Sequence, residues 1–346
     1  MKNKDLKAKF LAGEGYNPWY NLALEEYLLN NLKEDEIILY LWQNENTVVI
    51  GRNQNAWQEC RVGDLEDNEG KLARRLSGGG AVFHDKGNLN YTILMPRKKY
   101  DLKEKLEVVL KALQNLGIKA EFSGRNDIIF EGRKISGNAY YFGTKAAYIH
   151  GTVLVDTDLE KLVSYLNVSE AKIKSKGIDS VKSRVMNLSE IDKNLTVDEL
   201  KEGIKNSFAE IYNQGQPLNE IKINNKDKEK LKDLYHKYSS WEWRFGKSPD
   251  FDISLNNRFQ WGEIELKLKL SSAAVEEAVL YSDAMYSDLI PKIADSLTGQ
   301  QFKVEKIVAA AAKILNNYNW PEQKKELKVK EEFLNWLEAE LKKIIH

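Results

Sequence analysis

Two stretches of this sequence bring together residue types that could do chemistry: RRLSGGGAVFHDKGN, Arg74 to Asn88, and NDIIFEGRKISGNA, Asn126 to Ala139. In the first, two arginines run directly into three glycines. Glycines let a main chain crowd a ligand and turn several N–H groups toward an anion. Neighbouring guanidiniums add forked donors suited to carboxylate or phosphate. The pattern is neither G-x-x-x-x-G-K-[ST] nor G-x-G-x-x-G ahead of a helix, so the usual phosphate-loop and dinucleotide fingerprints do not apply. On the glycines alone, a flexible turn beside solvated arginines fits equally well. In the second stretch, EGR reads as a tight turn between strands. Plain alternation then puts Lys134, Ser136 and Asn138 on one strand face and Arg133 and Ile135 on the other. An ammonium among neutral polar groups suits a carboxylate and a phosphate held together; a solvated edge lysine is the commoner fate. Asp127 suits a base edge, a magnesium ion or a turn cap. His84 and His150 each adjoin a glycine-rich element and are either general bases or hydrogen-bonded structural residues. The basic run KIKSKGIDSVKSRV reads as a loop, able to touch phosphates or an acidic partner, or simply solvated.

The elements that position these residues follow from periodicity and caps. YNPWYNLALEEYLLNNLK is a helix with Asn17 as N-cap and Pro18 at its first position. EIILYLW and TVVIG read as buried strands. Two strands flank HDKGN, with Gly87 as the pivot. KEKLEVVLKALQNLG is an amphipathic helix closed by Gly117. From Gly124 to Asp156, short strands broken by glycine turns suit an antiparallel meander. Thr196 and Glu199 form a capping-box pattern. Periodicity fails in FGKSPDFDISLNNRFQ, where a domain boundary is placed. Beyond it, Ile264, Leu266, Leu268 and Leu270 alternate with charged residues as a half-buried strand, and three helical patterns follow. The fold class is α+β: a mainly antiparallel sheet flanked by helices, then a small α+β tail.

Composition narrows the partners. The chain has 346 residues, 42% hydrophobic, with 52 basic and 52 acidic residues. A net charge of zero argues against general nucleic-acid or membrane-surface binding. Cys60 is the only cysteine, so no internal disulfide or cysteine-rich zinc site forms. The four histidines are too scattered for a metal cluster. No signal-peptide core or apolar run of membrane-spanning length is present, and the reading is a soluble cytoplasmic protein.

Taken in their order and spacing, RRLSGGGAVFHDKGN and NDIIFEGRKISGNA resemble the lipoate–protein ligases of the two-domain bacterial kind, a resemblance that covers nearly the whole chain. YYFGTKAAYIHGTVLVD, KGIDSVKSRVMNL and RFQWGEIEL are similar to family segments too. The resemblance implies a catalytic domain over residues 1–247, related to biotin protein ligases, and an accessory domain over 253–346. It implies that ATP, with Mg²⁺, and lipoate give lipoyl-adenylate, and that the lipoyl group passes to a lysine of a carrier domain, such as 2-oxoacid dehydrogenase E2 subunits or the glycine-cleavage H protein. By the same resemblance, Arg75, Gly80, Ala81, Val82 and Phe83 match the nucleotide- and lipoate-contacting segment. Lys134 matches the lysine that touches both ligands and serves as the catalytic residue. Asn88 and Asp127 match positions near nucleotide and metal, and residues 176–184 match a loop that closes over the adenylate. Leu76 stands where relatives often carry a small polar residue. An apolar tunnel for the lipoyl tail is expected between the sheet and the helix at Tyr20–Leu32. Two alternatives stand beside this reading: an ATP-independent octanoyl or lipoyl transferase of the same fold, working through a thiol or thioester, and a non-catalytic binding regulator. A biotin ligase is disfavoured, because that family's arginine–glycine loop before a tryptophan is missing.

Overall fold

In the computed structural model of the chain, residues 6–123, 126–166, 184–245, 252–271, 273–320 and 323–345 are described. They form two compact units. Met1–Ile50, Ala56–Arg75 and Ala81–Arg244 make the first; Gly51–Asn55, Leu76–Gly80 and Phe245–His346 make the second. Two short inner segments, one of them holding the glycine run, therefore group with the tail.

The strands of the first unit are β1 (Lys7–Ala12), β2 (Glu36–Trp42), β3 (Thr47–Ile50), β4 (Lys71–Arg74), β5 (Val82–His84), β6 (Asn88–Pro96), β7 (Glu121–Phe122), β8 (Asp127–Phe130), β9 (Arg133–Phe142), β10 (Ala146–Leu154) and β11 (Asn219–Glu220). Eight of them make one sheet in the order β11-β1-β2-β6-β10-β9-β8-β7. β1 runs parallel to β2 and β11, and the other pairings are antiparallel. The expected meander is β8-β9-β10. Its EGR turn is a two-residue hairpin, with Phe130 opposite Arg133. Glu131 and Gly132 both have positive φ, 49° and 77°, as the favoured hairpin turn requires.

The helices are α1 (Pro18–Asn30), α2 (Ala56–Glu59), α3 (Val62–Asp67), α4 (Leu102–Asn115), α5 (Leu159–Tyr165), α6 (Val197–Tyr212), α7 (Asn225–Ser239) and α8 (Trp241–Phe245). Asn17 caps α1 by accepting from the Trp19 and Tyr20 N–H groups, and the Thr196–Glu199 capping box opens α6. The β6 sequence NLNYTILM explains how the sheet is used. Leu89, Tyr91, Ile93 and Met95 join an apolar core with Leu106, Val109 and Leu113 of α4 and Ile204 and Phe208 of α6. Asn88, Asn90 and Thr92 alternate with them and so lie on the opposite face, yet all three are buried. Helix α1 meets this polar face: its Glu25 accepts a 2.6 Å bond from the Thr92 hydroxyl.

Strands β4-β3-β5 form a separate small sheet. HDKGN thus links two sheets. Gly87 is no pivot with positive φ; a Cβ there would lie 2.0 Å from the Asp156 carbonyl oxygen, so its role is close main-chain approach. Because β3 and β4 are parallel neighbours, the segments that follow them leave the sheet side by side. The Arg52 N–H donates to the Ser77 carbonyl at 2.9 Å.

The second unit is an antiparallel meander, β12 (Ile253–Phe259), β13 (Gly262–Ser271) and β14 (Ala274–Ser282), with helices α9 (Leu289–Leu297), α10 (Val304–Asn317) and α11 (Gln323–Ile345). Ile264, Leu266 and Leu268 enter its core as their alternation predicts. The boundary stretch is more structured than expected: it contains β12, which pairs along its whole length with β13. Residues 282–287, from the end of β14 onward, form the seat of both inner segments. The Ser282 N–H donates to the Asn53 carbonyl, the Asn53 side chain to the Ser287 carbonyl, and the Gly79 N–H to the Ala284 carbonyl.

Candidate active site

The glycines have distinct jobs. A Cβ on Gly78 would sit 2.1 Å from the Ala284 carbonyl oxygen, so glycine is required for contact. Gly79 has φ 90°, a conformation that other residues rarely adopt. Gly80 is exposed and a Cβ there would meet nothing within 4 Å, so its main chain borders open space. The two arginines differ as well. Arg74 is buried, and its guanidinium donates to the carbonyls of Trp243 and Arg244 at 2.7–3.2 Å, a structural tie. Arg75 is buried and donates to the Val49 carbonyl at 3.1 Å. Desolvation lowers its pKa to about 10, against the raising influence of Tyr148 and Glu25; the cation persists at neutral pH. Of the next segment, Ala81 and Val82 are partly exposed while Phe83 is buried against Tyr165.

Lys134 lies elsewhere than plain alternation predicts. Along β8 and β9, Asp127 faces Gly137, Ile128 faces Ser136 and Ile129 faces Lys134, leaving Ile135 unpaired in a bulge. The extra residue resets the alternation. Ile128 and Ile135 both join the apolar core. Ser136 and Asn138 lie on that side too, where Asn138 takes a hydrogen bond from the core Tyr91 hydroxyl. Lys134 instead shares a face with Gly137 and Asp127, and its Nζ is 2.8 Å from Asp127 Oδ1. The side chains of this pair are 35% and 31% exposed. The Lys134 main chain is pinned independently: its N–H donates to the Arg184 carbonyl at 2.7 Å and its carbonyl accepts from Met186 N–H at 2.9 Å. Most of the basic loop read at 176–184 lies outside the described residues.

The polar face of the sheet carries further groups. Asn88 Nδ2 donates to Asn90 Oδ1 at 2.9 Å. Asn88 Oδ1 and Asn90 Nδ2 are buried and have no partner among the described residues. Trp42 Nε1 donates to Thr92 Oγ1, Thr92 to Glu25, and Glu25 lies 2.8 Å from His150 Nδ1. A second chain runs from the Asn21 side-chain amide to Asn44, and from Asn44 Nδ2 to His84 Nδ1 at 3.0 Å. That network assigns the His84 proton to Nε2, a buried atom with no partner among the described residues. Burial first, then Arg75 and His150, lower the His84 pKa to about 3, so the imidazole is neutral and a donor. Buried unpaired polar atoms are costly; Asn88, Asn90 and His84 are ready to meet a polar ligand.

Several of these residues escaped sequence reasoning. Asn21 and Glu25, four apart on a helix whose other buried positions are apolar, and the Asn-x-Asn-x-Thr pattern of β6 were the available signals. The helix expected to line an apolar tunnel buries Asn21 and Glu25 beside its leucines, and Glu25 meets the polar face of the sheet. Among the described residues, no group of three or more His, Cys, Asp or Glu side chains could hold a metal, and no helix is long and apolar enough to cross a membrane.

Cys60 is 2% exposed and bridged to Leu166. Desolvation, with Glu66 and Asp64 adding to it, pushes its pKa up to about 12. A thiol held neutral is a poor nucleophile. Cys60→Ser is expected to keep most ATP-dependent turnover, and iodoacetamide at pH 8 to leave the folded wild-type protein active. A trapped acyl thioester on Cys60, with an inactive folded Ser variant, would reverse this.

Comparison with known proteins agrees with the geometry. The family described as the lipoyl protein ligase A/B catalytic domain matches residues 17–209, and the bacterial lipoate protein ligase C-terminus matches residues 248–337. A relative from Psychrobacter cryohalolentis, called lipoate-protein ligase A, is 40% identical over 310 residues, 88% of this chain and 91% of its own. Among solved structures, P. falciparum LipL1 in complex with lipoate has a TM-score of 0.80 at 28% identity, covering 95% of this chain and 99% of that one. A bi-partite lipoate protein ligase studied with its E2 lipoyl domain, from Thermoplasma acidophilum, has a TM-score of 0.64 at 28% identity, covering 72% and 100%. A lipoate-protein ligase A bound with ATP has a TM-score of 0.62 at 28% identity, covering 70% and 99%.

Proposed function

This chain belongs to the lipoate–protein ligase family, and we propose that Lys134, Arg75 and the main chain of Gly80–Phe83 carry its chemistry. The enzyme activates lipoate with ATP and ligates it to carrier protein. The observation that supports the residue assignment most is the Lys134 ammonium, partly exposed and held beside Asp127.

In the first step the lipoate carboxylate attacks the α-phosphorus of ATP and the bond to pyrophosphate breaks. Two anions must meet, so the barrier is largely electrostatic. Lys134 and Arg75 lower it by placing cations where negative charge gathers, and the missing side chain at Gly80 lets phosphate come close to the backbone. Asn88 and Asn90 on the polar sheet face, and neutral His84 at the end of β5 in the small sheet, supply directed hydrogen bonds. No protein nucleophile is needed. In the second step the acceptor lysine amine attacks the activated acyl carbon and AMP leaves.

Magnesium fits as a companion of ATP. Asp127 is a single carboxylate facing Lys134, and Mg²⁺ commonly keeps waters and rides on substrate phosphates with one or two protein carboxylates; there it would neutralise phosphate charge. The carriers proposed are lipoyl domains of 2-oxoacid dehydrogenase E2 subunits or the glycine-cleavage H protein, and the proposed location is the cytoplasm.

Pyrophosphate release is the direct test. It is expected to require both ATP and free lipoate, and a purified lipoyl domain is expected to gain one lipoyl mass. Modification from an acyl thioester donor without ATP would favour the transferase, and lipoate binding without pyrophosphate release would favour a regulator.

A further inference from the structure

Gly137 stands in the middle of β9 without a turn to explain it. Its φ is not in the left-handed region, and a glycine inside a strand costs roughly 0.5–1 kcal/mol relative to alanine. What it faces is the side chain of Lys134. A Cβ at 137 would lie 2.6 Å from Lys134 Nζ and 2.7 Å from Lys134 Cε, and 3.8 Å from Asp127 Oδ1. Residues three apart on a regular strand point to opposite faces. Here the bulge at Ile135 returns Lys134 and Gly137 to the same face. The lysine chain lies flat across the bare glycine, and its ammonium ends at Asp127, the register partner of Gly137.

We propose that Gly137 is a positioning residue for adenylate formation: by lacking a side chain it makes, with Asp127, the seat that fixes the Lys134 ammonium. The idea rests on the assignment of Lys134 above. Because the atoms a methyl would meet are the far end of a flexible side chain, Gly137→Ala moves the ammonium and leaves the strand in place. The displacement needed is about 1 Å, and misplacement on that scale can cost about 100-fold in rate.

The test is a double-mutant cycle on lipoate-dependent pyrophosphate release under single-turnover conditions, with melting temperatures in parallel. Gly137→Ala is expected to lower the rate at saturating substrates about 10- to 100-fold, with the KM for ATP within about threefold and the melting temperature nearly unchanged. Added to Lys134→Ala, it is expected to slow the reaction no further, because it acts only through that ammonium. A wild-type rate in Gly137→Ala overturns the proposal. So does a loss that multiplies onto the loss in Lys134→Ala. If Gly137→Ala melts early, Asp127→Asn takes its place in the same cycle, run at saturating Mg²⁺, with the same expected non-additivity; full multiplication onto the Lys134→Ala loss counts against the seat. A near-normal rate in Lys134→Ala alone is a separate result: it removes the underlying assignment, whatever the Gly137 variant does.

Discussion

Lys134→Ala is expected to give a folded protein that releases pyrophosphate about 100- to 1000-fold more slowly than wild type, the usual cost of removing one well-placed charge-stabilising donor. The fold survives because the side chain does little structural work. Its ion pair with Asp127 is about one-third exposed, and pairs of that kind contribute about 0–1 kcal/mol. The main-chain bonds to Arg184 and Met186 hold the strand whatever the side chain. Lys134→Arg is expected to rescue poorly: a planar fork cannot lie in a seat shaped by a bare glycine for a compact ammonium. Pyrophosphate release within a few-fold of wild type, in a variant with a normal melting curve, would remove Lys134 from the mechanism.

Gly78→Val in the full chain is expected to slow adenylation at least about 30-fold while both cores stay folded. A Cβ at position 78 falls 2.1 Å from the Ala284 carbonyl oxygen and 2.9 Å from Met285 Cα. Main-chain atoms cannot step aside as a side-chain tip can, so the segment leaves its seat. Holding a residue in one backbone conformation costs about 1–2 kcal/mol; re-ordering two residues at each ligand encounter accounts for a loss of that size. Calorimetry should show weaker nucleotide binding beside a circular dichroism spectrum like that of wild type. Unchanged binding and rate would show that residues 76–80 keep their shape without residues 282–287. A chain cut after residue 247 keeps every recognised motif but loses the partners of Gly78 and Gly79. Such a truncation is expected to bind ATP less tightly than the full chain.

How much of this could be seen in the sequence depended on whether the signal was local. Asn17 with Pro18, the Thr196–Glu199 box, Gly117 after α4 and the Glu131–Gly132 turn each act over a few residues, and each forms as its neighbours dictate. The two motifs around Arg75 and Lys134 stand out in the sequence for the same reason, although the strand face of Lys134 does not. What could not be read depends on two chains at once. The bulge at Ile135 exists only because β8 offers one residue fewer than β9, and no single-strand pattern reports that. Strand β12 hides behind Asn256 and Asn257, poor strand formers held by pairing with β13. The glycine run looked like one device; its three members answer to a distant carbonyl, a backbone angle and open space.

The bulge has one more consequence, which concerns chain length. On this hairpin the side of the sheet that Lys134 occupies is a matter of parity: one uncompensated residue between the β8–β9 turn and Gly137. A single residue inserted between Ile128 and Ile129 would give Ile135 a partner, restore one-for-one pairing and turn Lys134 toward the apolar core, where a lone ammonium is costly. Removing Ile135 instead keeps Lys134 on its present side, at the expense of a buried side chain. Insertions and deletions here are therefore unequal. Lengthening β8 reverses the site, shortening β9 only weakens its support, and drift in this hairpin is tolerated where the two strands change length together.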